Sequence, residues 1–143
     1  MNENICSEVS VTINASTADV WEVITTPHLI KKYLMGTDVS CDWKEDCPIS
    51  YKGEYKGKSY HDKGIIKKIE PGRILQSTYW SSIGGKEDKP ENYNLITYQL
   101  TPQDGKTLVI LTQDNILSEK EKKHVTENWE TVLKKLKIVV ETK

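Results

Sequence analysis

The sequence predicts an α+β fold in which a curved antiparallel sheet wraps around one long C-terminal helix. Three observations carry this expectation. Gly64-Ile65-Ile66-Lys67-Lys68-Ile69-Glu70-Pro71-Gly72-Arg73-Ile74-Leu75 reads as a strand, a Pro-Gly reversal and a second strand. Apolar and polar residues alternate through several other stretches, the period of a half-buried strand. Beyond Ser118 the period changes: apolar residues recur every three or four positions almost to the end, as in an amphipathic helix. A sheet that grips a helix in this way leaves room for a small molecule between them.

Taken in order, residues 5–13 form the first strand, with Ile5, Val9, Val11 and Ile13 set among Glu8, Ser10 and Thr12. Ser16-Thr17-Ala18-Asp19 then has the form of a capping box, and Val20, Trp21, Val23 and Ile24 give the new helix its apolar side. Thr26-Pro27 starts a second short helix, because proline suits the first helical position, and Leu29, Ile30, Tyr33 and Leu34 form its stripe. From Gly36 the period returns to two. Val39, Cys41 and Trp43 share one face, and Ile49, Tyr51 and Tyr55 another, with Gly57 and Gly64 as punctuation. Strands at 63–70 and 73–80 follow, then a polar loop, Ser81 to Glu91, expected to be mobile. Ile96, Tyr98 and Leu100 mark the next strand, and Pro102-Gln103-Asp104-Gly105 turns the chain into a last one, from about Lys106 to Asp114. That strand is apolar on both faces, Val109 and Leu111 on one, Leu108 and Ile110 on the other, so its outer face is expected to meet a partner or the short helices. A second capping box, Ser118-Glu119-Lys120-Glu121, opens the closing helix, whose stripe is Val125, Trp129, Val132, Leu133, Leu136, Val139 and Val140. Glu119 with Lys123 and Glu130 with Lys134 are spaced as i,i+4 pairs on its solvated face.

The 143 residues suit a single domain, 1–143, with one sizeable core. A formal net charge of −1 provides no long-range field for nucleic acid or an anionic membrane, so a small neutral or apolar partner fits better. Met1-Asn2-Glu3-Asn4 lacks the basic start of a signal peptide, and no apolar run approaches the ~18 residues of a membrane span, so a cytoplasmic location is expected. Cys6, Cys41 and Cys47 show no Cys-x-x-Cys spacing and are expected to be reduced thiols. Phe is absent, so Trp and Tyr supply the aromatic bulk, and their N–H and O–H groups imply a partly polar interior.

Several of these stretches resemble one family. Ala18-Asp19-Val20-Trp21-Glu22-Val23-Ile24-Thr25-Thr26-Pro27 is similar to a Val-Trp-x-x-(Leu/Ile)-Thr-x-Pro signature, and Gly64 to Leu75 to a Gly-x-(Ile/Val)-x-x-(Ile/Val)-x-Pro turn. With Asp88 to Tyr93, Ile96 to Tyr98, Thr107 to Asn115 and Asn128 to Lys137, the whole chain resembles the START/SRPBCC superfamily. Within it, the resemblance is to members like the C-terminal domain of the activator of heat-shock protein 90 ATPase. This likeness implies a helix-grip fold, in β-α-α-β6-α order, and a cavity between sheet and long helix. Members of the superfamily bind lipids, hormones or polyketides there, and a few are cyclases, dehydratases or resistance proteins. The chaperone activator itself uses an additional N-terminal domain, for which this chain is expected to have no length left.

Catalytic signals are sparse. His28, His61 and His124 are scattered without ligand-like carboxylate spacing, so no metal is expected, and Gly84-Gly85 lacks the strand and helix of a phosphate cradle. No serine lies in a Gly-x-Ser-x-Gly elbow, and no cofactor is implied. If Val109 and Leu111 face inward, Gln113 does too, and an amide does not exchange protons. The expected site is therefore a binding site: Trp43, Tyr51, Tyr55, Trp80, Tyr98 and Trp129 converging on the inside of the grip, Gln113 beside them, and Met35 at the mouth. Trp21 is read as packing between the first helix and the sheet. The function expected is binding of a small hydrophobic or amphipathic molecule (lipid, polyketide or aromatic metabolite) without chemical change, gated by the 81–91 loop and residues 33–36. Two alternatives stand beside it. One is a co-chaperone-like or homodimeric interaction module using Leu108 and Ile110; the other is a cyclase or dehydratase using Asp62, Tyr55 and Tyr98, with Asp114 as a further carboxylate.

Overall fold

In the computed structural model, residues 5–143 are described, and the reading of Met1–Asn4 lies outside them. Strand β1 (Ile5–Ile13) leads to α1 (Thr17–Ile24), where the Ser16 hydroxyl accepts from the Asp19 N–H at 3.2 Å, as the capping box requires. Helix α2 (Pro27–Tyr33) begins on proline, but Thr26 does not cap it. The Thr26 hydroxyl donates instead to the Glu22 carbonyl of α1, which ties the two helices together. Six strands follow: β2 (Asp38–Cys41), β3 (Pro48–Tyr55), β4 (Lys58–Glu70), β5 (Ile74–Tyr79), β6 (Asn94–Gln103) and β7 (Lys106–Ile116). Helix α3 (Glu119–Glu141) ends the chain's regular structure, capped by Ser118, whose hydroxyl accepts from Glu121 N–H at 3.1 Å.

All seven strands pair antiparallel in one sheet, in the order β1-β7-β6-β5-β4-β3-β2. Two hairpins turn on adjacent left-handed residues, Lys56-Gly57 and Asp104-Gly105, the backbone of a tight two-residue reversal. Gly64 does not punctuate a strand as expected; β4 runs straight through it. Its lack of a side chain serves a close approach, since a Cβ there would lie 1.7 Å from the Thr78 carbonyl oxygen. Trp43 also falls outside the expected strand, in a left-handed conformation two residues after β2 ends. The ion pairs on α3 join Lys137 to Glu141 and Lys86 to Glu121, in place of the spacings expected at Glu119 and Glu130.

The helices share one face of the sheet. Val20, Val23 and Ile24 of α1, Ile30 of α2 and Leu133, Leu136 and Val140 of α3 form one buried cluster with Ile13, Leu100, Val109 and Leu111. Burial of this apolar surface is the main cohesive term. Because α1 and α2 lie on this inner face, they do not cover Leu108 and Ile110, which stay half-buried on the outer face. The cluster closes only the C-terminal half of α3. Along its N-terminal half, Lys122, Val125, Thr126 and Trp129 face the sheet but remain half-buried. No helix among the described residues is long and apolar enough to cross a membrane.

Candidate functional site

Strand register decides which side chains meet under that open half. Tyr51 pairs with Asp62, Ser77 with Ile96, Leu75 with Tyr98, and Ile96 with Gln113, so the period of two places all of them on the inner face. The result is a track of aromatic and polar groups across five strands. Tyr51 and Tyr79 meet edge to face with ring centroids 5.5 Å apart, and Tyr98 and Trp129 do so at 6.4 Å. Trp129 Nε1 donates to Gln113 Oε1 at 2.7 Å, joining α3 to β7. Tyr33, the last residue of α2, is fully buried, with its phenol near that of Tyr98.

At the other end stands Asp62, 5% exposed and with no ion-pair partner among the described residues. Three neutral donors satisfy it: Tyr79 Oη to Oδ2 at 2.5 Å, and Ser82 N and Oγ to Oδ1 at 2.9 and 3.3 Å. Burial pushes the phenols of Tyr33, Tyr51, Tyr79 and Tyr98 well above their ordinary value, and the hydrogen bond to Asp62 adds to this at Tyr79. These groups are neutral, and they serve as hydrogen-bonding surface rather than as proton carriers near neutral pH.

The expected site residues fall into two groups. Tyr51, Tyr98, Gln113 and Trp129 come together on the track. Trp43 packs against the buried cluster, where its backbone N–H donates to Cys41 Sγ at 3.2 Å. Tyr55 does not converge with them: it is 52% exposed at the β3–β4 reversal, beside an open hollow of about 560 Å³ that it lines with Ile83 and Gly85. Trp80 is turned outward to the 81–91 loop, its indole N–H shared between the carbonyls of Lys86 and Glu87 and its ring stacked on Tyr93. Tyr55 sits at a reversal tip, and Trp80, one residue after the inward Tyr79, takes the opposite face by the period of two. Met35 is 59% exposed at the end of α2. Asp114 is spent on structure, accepting from the Leu95 N–H. No cluster of three or more potential metal ligands occurs among the described residues.

The sequence profile described as activator of Hsp90 ATPase homolog 1-like protein matches residues 14–141. The chain belongs to that family. Consistent with this membership, it is similar to ChR145 from Cytophaga hutchinsonii, with 45% identity over 96% of this chain and 94% of that one and a TM-score of 0.85. Two more distant structures share the fold. The Aha1 dimer from Colwellia psychrerythraea is 21% identical, with a TM-score of 0.76 and 96% of each chain covered. DynU16, from the dynemicin biosynthetic locus, is 17% identical, with a TM-score of 0.78, and the match spans 96% of this chain and 47% of that one. No curated protein sequence matches the chain.

As in the helix-grip fold expected of this family, the track lies where sheet and long helix face each other. Sequence reading overlooked three of its members as site residues: Tyr33, Ser77 and Tyr79. The signal for two of them was present, because Ser77 and Tyr79 share the period-two face of Leu75. Tyr33 looked like ordinary stripe, and only the tertiary structure brings its phenol near that of Tyr98.

Proposed function

We propose that this protein binds a small amphipathic molecule between the inner face of its sheet and the N-terminal half of α3, without transforming it. One observation carries the reading: Tyr51, Tyr79, Tyr98, Gln113 and Trp129 occupy the inner face yet stay half-buried, while the neighbouring aliphatic layer is sealed. Rings give apolar contact and their polar atoms orient a ligand. The locus from which the DynU16 fold-mate comes supports a biosynthetic product as one class of occupant. Burial holds the phenol of Tyr98 protonated, which favours binding over a cyclase or dehydratase that would use it to carry a proton.

Native mass spectrometry of protein purified from its own host tests this directly, followed by a thermal-shift screen of lipids, polyketides and aromatic metabolites. A ligand that binds only the folded state raises the melting temperature. A bound mass, or a shift that Trp129→Ala removes, is the expected result; neither appearing would end the reading. The same spectrum weighs a second one, pairing through the uncovered outer-face residues Leu108 and Ile110, favoured by a fold-mate that is a dimer. A dimer peak that Leu108→Lys abolishes would support that reading, and a monomer at all concentrations would sink it.

A further inference from the structure

Two exposed side chains, Tyr55 and Ile83, line one hollow from separate segments. Tyr55 ends β3 and Ile83 lies in the 81–91 loop; with Lys56, Lys58, Ser82 and Gly85 they surround about 560 Å³, within the ~300–1,000 Å³ of small-molecule sites. The hollow is set apart from the aromatic track. Between Tyr51 and Tyr55 the inner face is crossed by Tyr60, whose hydroxyl would stand 2.5 Å from a Cβ at Gly53 and is hydrogen-bonded to Thr37 Oγ1 at 2.6 Å. The loop side of the hollow is tied to β4: the Ser82 oxygen accepts from the His61 N–H at 2.9 Å, and the Ser82 N–H donates to Asp62 at 2.9 Å.

Charge in the hollow has one sign. Lys58 pairs directly with Tyr55 across the hairpin and so shares its face, and Lys56 Nζ stands 5.3 Å from the centre of the Tyr55 ring. Neither lysine enters an ion pair among the described residues, and no lining residue carries a carboxylate. Glu54, next to Tyr55 in the chain, lies on the opposite face of β3 by the period of two. An aromatic ring, an aliphatic wall and two uncommitted cations complement one kind of small molecule, flat and apolar over its body and negatively charged at one end.

We propose that this hollow is a second binding site, for a planar organic anion of the aromatic carboxylate class. The ligand's ring lies against Tyr55 and Ile83, and its carboxylate meets Lys56 and Lys58. The hollow is open to solvent, so these ion pairs are screened and binding weakens as salt is raised. The site is independent of the one on the inner face, and either can exist without the other.

Amide correlation NMR spectra of the full chain, titrated with 2-naphthoate, 2-naphthamide and acetate, test this. Naphthoate is expected to move the signals of residues 55–58 and 82–85 in a saturable way, and to bind about fivefold more tightly than the uncharged naphthamide, the worth of exposed ion pairs. Acetate has the charge but no ring, and is expected to leave these signals unmoved at the same concentrations. Replacing both lysines, Lys56→Gln with Lys58→Gln, should weaken naphthoate by a similar factor. Naphthamide binding as tightly as naphthoate, or naphthoate binding indifferent to the double substitution, overturns the proposal. Movement at Gln113 and Trp129 in place of the hollow would also overturn it, and would support the inner-face reading. No movement anywhere ends the hollow as a site, while the inner-face reading still stands or falls on the native mass spectrum.

Discussion

At Gly64 the sheet has no space for even a methyl group. A Cβ there would meet a backbone oxygen of β5, which cannot rotate away as a side chain does, so the two strands would have to part. Gly64→Ala is expected to cost at least about 2 kcal/mol of unfolding free energy, read from the denaturant midpoint. An unchanged midpoint would mean the strands are not so closely apposed. In the sequence this glycine looks like punctuation; its role depends on Thr78, fourteen residues on, which no local pattern connects to it. Asp62 is a similar case. The sequence offers it as a candidate catalytic carboxylate, and the register that brings Tyr79 and Ser82 around it makes it a buried anchor.

Among the elements, the helices were the most legible. Ser16 and Ser118 cap as their spacing predicts, and the apolar stripe of α3 is the one that packs. The 81–91 loop went the other way. Its polar composition suggests mobility, yet it is fastened by the Trp80 indole, by Asn92 and Asn115 donating to the Glu87 and Glu91 carbonyls, and by the Lys63–Asp88 ion pair at 2.6 Å. A segment so fastened is a strap, and gating there would require these bonds to open. Trp80→Phe retains a ring to stack on Tyr93 but loses the N–H, so amide exchange across 86–89 should quicken about fivefold, as expected for one lost hydrogen bond. Unaltered exchange would place the fastening elsewhere.

Over the whole molecule, the candidate site borders the layer that gives cohesion, since Tyr51, Tyr79, Tyr98 and Trp129 pack against the buried cluster while staying half-buried. Leu136 is completely buried beneath α3, and Leu136→Ala should cost about 3 kcal/mol, the usual result of emptying a packed position. Trp129 is larger but half-buried over the track, and Trp129→Ala should cost about 2 kcal/mol, from its hydrogen bond to Gln113 and part of its packing on Tyr98. The comparison is read from denaturant unfolding of the two variants. If Trp129→Ala proved as costly as Leu136→Ala, the track would be part of the core and not a place for a ligand.

The amino-acid sequence by itself determined the order of elements, the fold class and the family, because periodicity, caps and turn residues are local and repeat along the chain. It also identified Tyr51, Tyr98, Gln113 and Trp129 as inward-facing, since each sits on an apolar face whose period can be read from its neighbours. The tertiary structure alone decided that Tyr55 and Trp80 stand apart from them and that Tyr33, Ser77 and Tyr79 belong with them. Strand register and the reach of α3 set those meetings, and both arise from contacts between residues far apart in the chain.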